Sequence, residues 1–321
     1  MDLTYTNAKR VDQGVFLAYA LDMSYGANEN DFELMLDVDE AALEFKSVVY
    51  VEGTEYGGMV DTIKASTDGE TVTYTGRTWH GIINSKIIQP DSGESHLVVS
   101  GDANEVLSFL LARLGLSGLF IADEELSGVN ISQYQFARYC KGYDGIRAML
   151  AAHGAKLKIL WEDRSVRLSA EPIADYTDSP VDADIATLIV ELHDQKVNHL
   201  ICLGNGELTE REVAHLYVDQ FGRIGDVQYF TGLDEITEIY EYTNAESIEE
   251  LKSSGIEYLN ELRNNDKAEI AIPETEGLFY DIGDIVGASE MKSGIKTTAA
   301  VTQKIVKINN GVASTEYQTG G

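Results

Sequence analysis

The sequence predicts an α+β fold, mainly β, with antiparallel β units near the two ends of the chain and helical material between them. Three observations carry that expectation. Apolar residues alternate with period two in short runs, from Met59 to Thr75 near one end and in stretches between Ile270 and Tyr317 near the other. The turn pairs Asp68-Gly69 and Asn310-Gly311 sit between such runs, where a two-residue hairpin needs positive φ. Helical spacing is confined to a few segments that open on capping residues. With 321 residues and 44% hydrophobic content, the chain can bury a sizeable core and is expected to form two or three domains.

Gly14 to Leu21 and Asp31 to Leu36 read as two strands joined by the polar turn Gly26-Ala27-Asn28-Glu29-Asn30. Glu40 to Glu44 reads as a helical turn, and Val48 to Val51 as a strand ending at Gly53. The next stretch organises the first unit. Met59, Ile63 and Ala65 alternate with Val60, Thr62 and Lys64, Thr67-Asp68-Gly69-Glu70 turns the chain, and Val72 and Tyr74 alternate with Thr71, Thr73 and Thr75. Thr78 can cap a short helix that places Trp79, Ile82, Ile83 and Ile87 on one face, with Pro90 as its stop. Such a helix is expected to plug the end of a small antiparallel barrel.

Pro90-Asp-Ser-Gly-Glu-Ser95 marks a boundary. Asp102 with Glu105 forms a capping box, and Val106, Leu107, Leu110, Leu111 and Leu114 keep helical spacing up to Gly115. A second helix runs from about Asp144 to His153 with Ile146, Met149 and Leu150 inward, ending at Gly154. Leu157, Ile159 and Trp161 face Val166 and Leu168 across the turn Glu162-Asp163-Arg164-Ser165, which completes a small α/β insertion. After the acidic linker Pro180 to Asp184, Leu188 to Leu192 and His199 to Leu203 return to strands. Leu208 to Val218 reads as strand, with Val213, His215 and Tyr217 alternating against Ala214, Leu216 and Val218, and a turn near Gly222 leads to a further strand at Val227 to Phe230. Ser247 with Glu250 opens a helix whose buried side carries Ile248, Leu251, Leu259 and Leu262 and which stops at Asn264-Asn265. Ile270 to Ile272, Ile282 to Val286, Thr297 to Ile308 and Val312 to Tyr317 form the last β unit.

No constellation specifies a chemistry. Gly204-Asn-Gly206 follows a strand, as a phosphate-cradling loop would, but no third glycine stands at the right spacing and a plain turn is the better reading. His193 and His199 share a strand face without a third metal ligand, and Asp37, Asp39 and Glu40 lack the glycine and terminal glutamate of a calcium loop. Cys140 and His153 could in principle form a nucleophile and base; a buried free thiol is the plainer reading. Cys140 and Cys202 lie far apart in different candidate units, so free thiols are expected. The acidic residues are too many for any one carboxylate pair to point to glycoside hydrolysis. Catalytic, cofactor-binding and metal residues are therefore assigned to none, and the chain is expected not to be an enzyme.

The formal charge of −30, from 54 acidic and 24 basic residues, argues against a surface that grips nucleic acid by neutralising phosphates. No apolar run approaches the ~18 residues of a membrane span, and Met1-Asp2-Leu3-Thr4 lacks the features of a secretory signal. A soluble chain made in the cytoplasm, without a membrane anchor, is expected.

Tyr50-Val-Glu-Gly-Thr-Glu-Tyr-Gly-Gly58 followed by Gly76-Arg-Thr-Trp-His-Gly81 and Lys86-Ile-Ile88 resembles the hub proteins of long-tailed phages and prophages. Tyr134-Gln-Phe136 with Tyr139, Val197-Asn-His-Leu-Ile-Cys-Leu-Gly204, Phe230-Thr-Gly-Leu-Asp-Glu-Ile236 and Tyr280-Asp-Ile-Gly-Asp-Ile-Val-Gly287 extend the likeness over nearly the whole chain. These are fold-determining Gly, Trp and apolar residues without a catalytic signature. The resemblance implies two tube-type antiparallel β-barrel domains per subunit, three subunits forming a ring of six similar domains, and an inserted α/β domain outside that ring. It divides the chain into residues 1-92, the first part of one tube domain; 93-177, the inserted domain; 178-244, a β segment completing or bridging the barrels; and 245-321, a helix with the second tube domain. It implies a homo-trimer in the virion tail, assembled in the host bacterial cytoplasm. Its partners would be a distal tail or tube protein, the tape measure and a tip or spike. Acidic walls would let DNA slide through the channel without sticking. Some relatives carry a wall-degrading domain after the hub portion, whereas this sequence reaches Gly320-Gly321 directly after its last hairpin. A cell-wall hydrolase and a host carbohydrate-binding β module are the rival expectations.

Overall fold

In the computed structural model, Ala20–Gly26 and Asp31–Asp37 form a hairpin whose outer strand pairs with Thr71–Thr78, so the polar turn read between them is where the chain reverses. The structure describes residues 1–40, 43–66, 69–182, 187–191, 196–245, 247–263, 267–273, 279–289 and 296–320. These form two compact units, one of Met1–Leu188 with Glu269–Gly320 and one of Ile189–Ala268.

In the first unit an antiparallel path runs from Asp12–Phe16 through Leu3–Thr6, Val48–Tyr50, Gly57–Ala65, Thr71–Thr78 and Asp31–Asp37 to Ala20–Gly26. Instead of closing as a small barrel of the first strands alone, it continues onto Lys296–Asn309, which pairs Ala20–Gly26 from Gln303↔Gly26 to Asn309↔Ala20. Lys296–Asn309 also forms a hairpin with Val312–Gly320 across Asn310 (φ 49) and Gly311 (φ 79), the positive-φ pair that Asn-Gly supplies. The first half of the same long strand pairs Ile285–Ser289, which in turn meets Asp175–Asp182 in parallel. The two β units read separately at the chain's ends thus share one hydrogen-bonded path.

Several expected elements shift. The strand read as Gly14 to Leu21 breaks at Leu17–Tyr19, where the chain turns from Asp12–Phe16 into Ala20–Gly26. A register shift between Val60 and Thr62 switches the inward side of Gly57–Ala65, so Val60 is buried while Met59 and Ile63 are only half-buried. Thr67 and Asp68 of the expected turn lie outside the described residues, as do Ala41 and Ala42 of the Glu40–Glu44 turn, His193, Leu192, Asp184, Asn264-Asn265 and Gly321. Pro180 does not open a linker, because Asp175–Asp182 is strand through Asp182.

The insertion is built as expected. Helix α2 (Ala103–Arg113) is capped by Asp102, which accepts from the Asn104 N–H at 2.9 Å, and ends before Gly115 at φ +70. Helix α3 (Gly142–Ala151) starts two residues earlier than read and buries Ile146, Met149 and Leu150. Both pack on a sheet ordered Phe120–Ala122, Ser165–Pro172, Ala155–Glu162, whose hairpin turns at Asp163 and Arg164, both at positive φ.

Helix α1 (Trp79–Asn84) is capped by Thr78, which accepts from the Gly81 N–H. Its apolar face does not plug a barrel: Trp79, Ile82 and Ile83 belong to the core of the insertion. Trp79 stacks on Trp161 at 5.2 Å between ring centroids and meets Phe120 edge-on at 6.5 Å. Ile87 is not on that helix, which ends at Asn84. It lies in the short strand Ile87–Ile88, half-exposed, while Ile88 turns inward. A second core, with Leu21, Met23, Tyr25, Leu34 and Val306, packs on one face of the main sheet.

In the second unit a sheet ordered Ile224–Gly225, Val213–Val218, His199–Leu203, Thr237–Glu241 carries helix α4 (Ile248–Arg263) on one face. Leu200, Cys202 and Leu216 pack there with Leu251 and Leu259. Leu208 does not continue the strand but opens a 3-10 turn, Leu208–Glu210. Val227 to Phe230 is not strand either; Val227 and Tyr229 stand exposed, and the strand partner is the two-residue Ile224–Gly225.

Candidate functional site

The densest polar cluster lies in the first unit, where three lysines meet three carboxylates. Lys156 and Lys158 sit two apart on Ala155–Glu162 and therefore project from one face of the strand. Lys156 Nζ donates to Asp284 Oδ1 at 2.8 Å and to Asp281 Oδ2 at 2.9 Å, and Lys158 Nζ donates to the same Asp281 oxygen at 3.2 Å. Lys304, from the long strand Lys296–Asn309, donates to Glu55 and lies 3.8 Å from Asp281 Oδ1. Asp284 also accepts from the backbone N–H groups of Asp281 and Ala174, so its buried carboxylate is hydrogen-bonded on several sides. Burial opposes the charge on Asp281, yet Lys156, Lys304 and Lys158 outweigh it and hold the carboxyl below its usual range. Burial likewise opposes the charge on Lys304, and Glu55 more than restores it.

Beside this network is a cavity of about 300 Å³ bordered by Glu55, Lys158, Asp281, Lys304 and His80. His80 stacks on Tyr25 at 4.6 Å and meets Tyr143 edge-on. Burial pushes its imidazole down to about 4, so it is neutral at pH 7. The cluster neutralises itself and leaves no spare nucleophile. Its evident work is to tie Ala155–Glu162, the Asp281–Asp284 turn and Lys296–Asn309 together.

The second unit holds a chain of side chains that sequence reading did not connect. His199 Nδ1 lies 2.8 Å from Glu235 Oε1, and His199 Nε2 lies 2.9 Å from His215 Nδ1. With Glu235 ionised, His199 donates to it and accepts from the His215 Nδ1–H. Tyr217 stacks on His199 at 4.4 Å. His199 thus finds its partner on the neighbouring strand; His193, the partner considered from sequence, is outside the described residues. Among the described residues no group of three His, Cys, Asp or Glu is placed to hold a metal ion.

The remaining candidates are separated. Asp37 precedes and Asp39 and Glu40 belong to an exposed 3-10 turn, Val38–Glu40. Gly206, at φ +100, closes the turn after His199–Leu203, and a Cβ there would lie 2.5 Å from the Glu210 carbonyl oxygen, so the glycine answers the turn's own geometry. His153 is committed to the Met149 carbonyl through Nδ1 and to the Ser132 N–H through Nε2, so it does not serve Cys140. Burial pushes the half-buried Cys140 thiol up, the opposite of an activated nucleophile. Cys202 is a buried free thiol.

Comparison with solved structures identifies the architecture. A tail protein of Neisseria meningitidis MC58 superposes with a TM-score of 0.54 at 12% identity, covering 100% of this chain and 96% of that one. The 43 kDa tail protein of prophage MuSo2 from Shewanella oneidensis gives 0.59 at 12% identity, covering 99% and 98%. The prophage tail protein gp18 from Listeria monocytogenes EGD-e gives 0.58 at 12% identity, covering 100% and 95%. The chain has the fold of phage and prophage tail proteins. A chain of the phage P2 baseplate in its activated conformation also matches, at 0.50 and 10% identity over 100% of this chain. No family model and no curated protein sequence matches the chain. The fold is thus shared at about one identical residue in eight, which suits a fold specified by its core and turns.

Proposed function

We propose that this chain is a non-enzymatic structural protein of a phage or prophage tail, a hub that joins the tail tube or distal ring to the tip. The observation that carries this reading is the likeness over the full length of both chains to tail proteins, including a component of a phage baseplate. In this reading residues 1-92 and 245-321 supply the two tube-type domains, 93-177 the inserted domain and 178-244 the bridge. Three copies form a ring of six similar domains around a channel for DNA. The continuous pairing of Ala20–Gly26 with Lys296–Asn309 supports it, because two tube domains joined edge to edge present one wall. The distal tail or tube protein, the tape measure and the tip or spike are its neighbours.

Assembly is the activity to measure. The purified chain, alone and mixed with its distal tail protein, is expected to give a trimer mass and negative-stain rings with a central hole. A strict monomer that also fails to join the distal ring overturns the reading. Release of fragments from purified peptidoglycan would instead support a wall hydrolase, and retention on host wall glycans a carbohydrate-binding module.

A further inference from the structure

Among the described residues Ala155–Glu162 is the edge strand of its sheet, paired with Ser165–Pro172 on one side only. At its end the other side is used: Trp161 N–H donates to the Thr54 carbonyl at 2.8 Å, and the Gly53 N–H donates to the Trp161 carbonyl at 3.0 Å. Backbone direction alternates along a strand, so the N–H and C=O of Ile159 and Leu157 point to that same outer side. Among the described residues no backbone or side-chain group meets them there. They face the 300 Å³ cavity, which both residues line. Ile159 is only 2% exposed, and a buried peptide group without a partner is rare in folded proteins. His80, also lining this cavity and 3% exposed, has no hydrogen-bond partner for Nδ1. Among the described residues, several polar groups without partners thus converge on one opening.

We infer that this opening is a strand-addition site that receives an extended segment of a neighbouring polypeptide, pairing its main chain with Leu157 and Ile159. The spacing favours a peptide over a small molecule: equivalent N–H and C=O groups recur every two residues, about 6.8 Å, which is the repeat of another strand. The walls set the segment's character. Lys156, Lys158 and Lys304 are already matched by Glu55, Asp281 and Asp284, so a charged side chain entering the cavity would be buried without a counter-ion. The inserted residues are therefore uncharged, with one hydrogen-bonding side chain within reach of His80. Only the source of the segment, another tail component, rests on the assembly reading; the slot stands on its own geometry.

Amide hydrogen exchange on the whole chain tests it, with the capped tetrapeptide acetyl-Thr-Val-Thr-Val-amide at millimolar concentration as the probe. Exchange at Leu157 and Ile159 is expected to slow by about tenfold, while the Lys158 and Leu160 amides, already in the hairpin, do not change. The Ile159→Pro variant removes the outward N–H without touching the Ser165–Pro172 ladder and is expected to lose the protection. Unchanged exchange at both amides of the wild type overturns the proposal whether or not the variant folds. Equal protection by acetyl-Thr-Glu-Thr-Glu-amide overturns the uncharged partner. Protection in a chain that fails to join tail rings supports the slot and counts against the hub reading, so the two failures are distinguishable.

Discussion

At the scale of single residues, Trp79 and His80 show how far local pattern reaches. The Thr78 cap and the spacing of Trp79, Ile82 and Ile83 were legible because a helix start is a local contest for the first free N–H groups. What Trp79 packs against was not legible, since Phe120 and Trp161 arrive from distant parts of the chain. Gly57 belongs to the same arrangement: a Cβ there would lie 2.4 Å from the Trp79 ring, so Gly57→Ala should force the indole out of place. Trp79→Ala is expected to cost about 3 to 5 kcal/mol, read as a lower denaturation midpoint at unchanged slope. His80 gives a pH signature. Its folded value of about 4 lies below the ordinary 6.5, so the unfolded chain binds the extra proton between those values. Stability is therefore fully present above pH 6.5 and declines as pH falls towards 4, by about 3 kcal/mol from this one group. His80→Phe keeps the ring stack on Tyr25, and its melting temperature should fall less steeply than the wild type's over that window.

At the scale of elements, hairpins and capped helices were readable and their partners were not. Asn310-Gly311 announces its turn because Gly311 sits at φ +79, but nothing in Lys296–Asn309 says that its far side pairs Ala20–Gly26. The lysine network was missed for the same reason. Lys156 and Lys158 share a strand face, a visible spacing, while Asp281 and Asp284 lie in a Gly-containing turn more than a hundred residues on. The residues His199 and His215 likewise alternate as strand residues should, and only the register Ile201↔His215 makes them diagonal neighbours. The network's energetics are those of buried charges. Lys156→Met leaves Asp284, 1% exposed, without its cation, and should cost about 3 to 5 kcal/mol. Adding Asp284→Asn removes the stranded charge, so the double variant should be more stable than Lys156→Met alone. Thermal melts of the four proteins of this cycle check the sign. An additive double variant would mean that the two groups do not interact.

At the scale of the whole molecule, composition bears on what the chain avoids more than on what it joins. A net charge of −30 disfavours phosphate for the chain as a whole, and no fold information is needed to read that. Fold class was legible because period two recurs near both ends of the chain, whereas the open path beginning at Asp12–Phe16 depends on edges that no local pattern marks. In the hub reading the acidic excess is partly functional: carboxylates line the channel and keep duplex DNA from sticking. Repulsion is screened over about 8 Å at physiological salt, so only carboxylates on walls close to the duplex contribute. Two measurements bear on this. The assembled chain should show no retention of duplex DNA at moderate salt, and a map of the ring should show acidic side chains dominating the lumen. A lumen lined mainly by Lys and Arg, or binding that weakens with salt as phosphate contacts do, would mean that the charge merely solvates the outer surface.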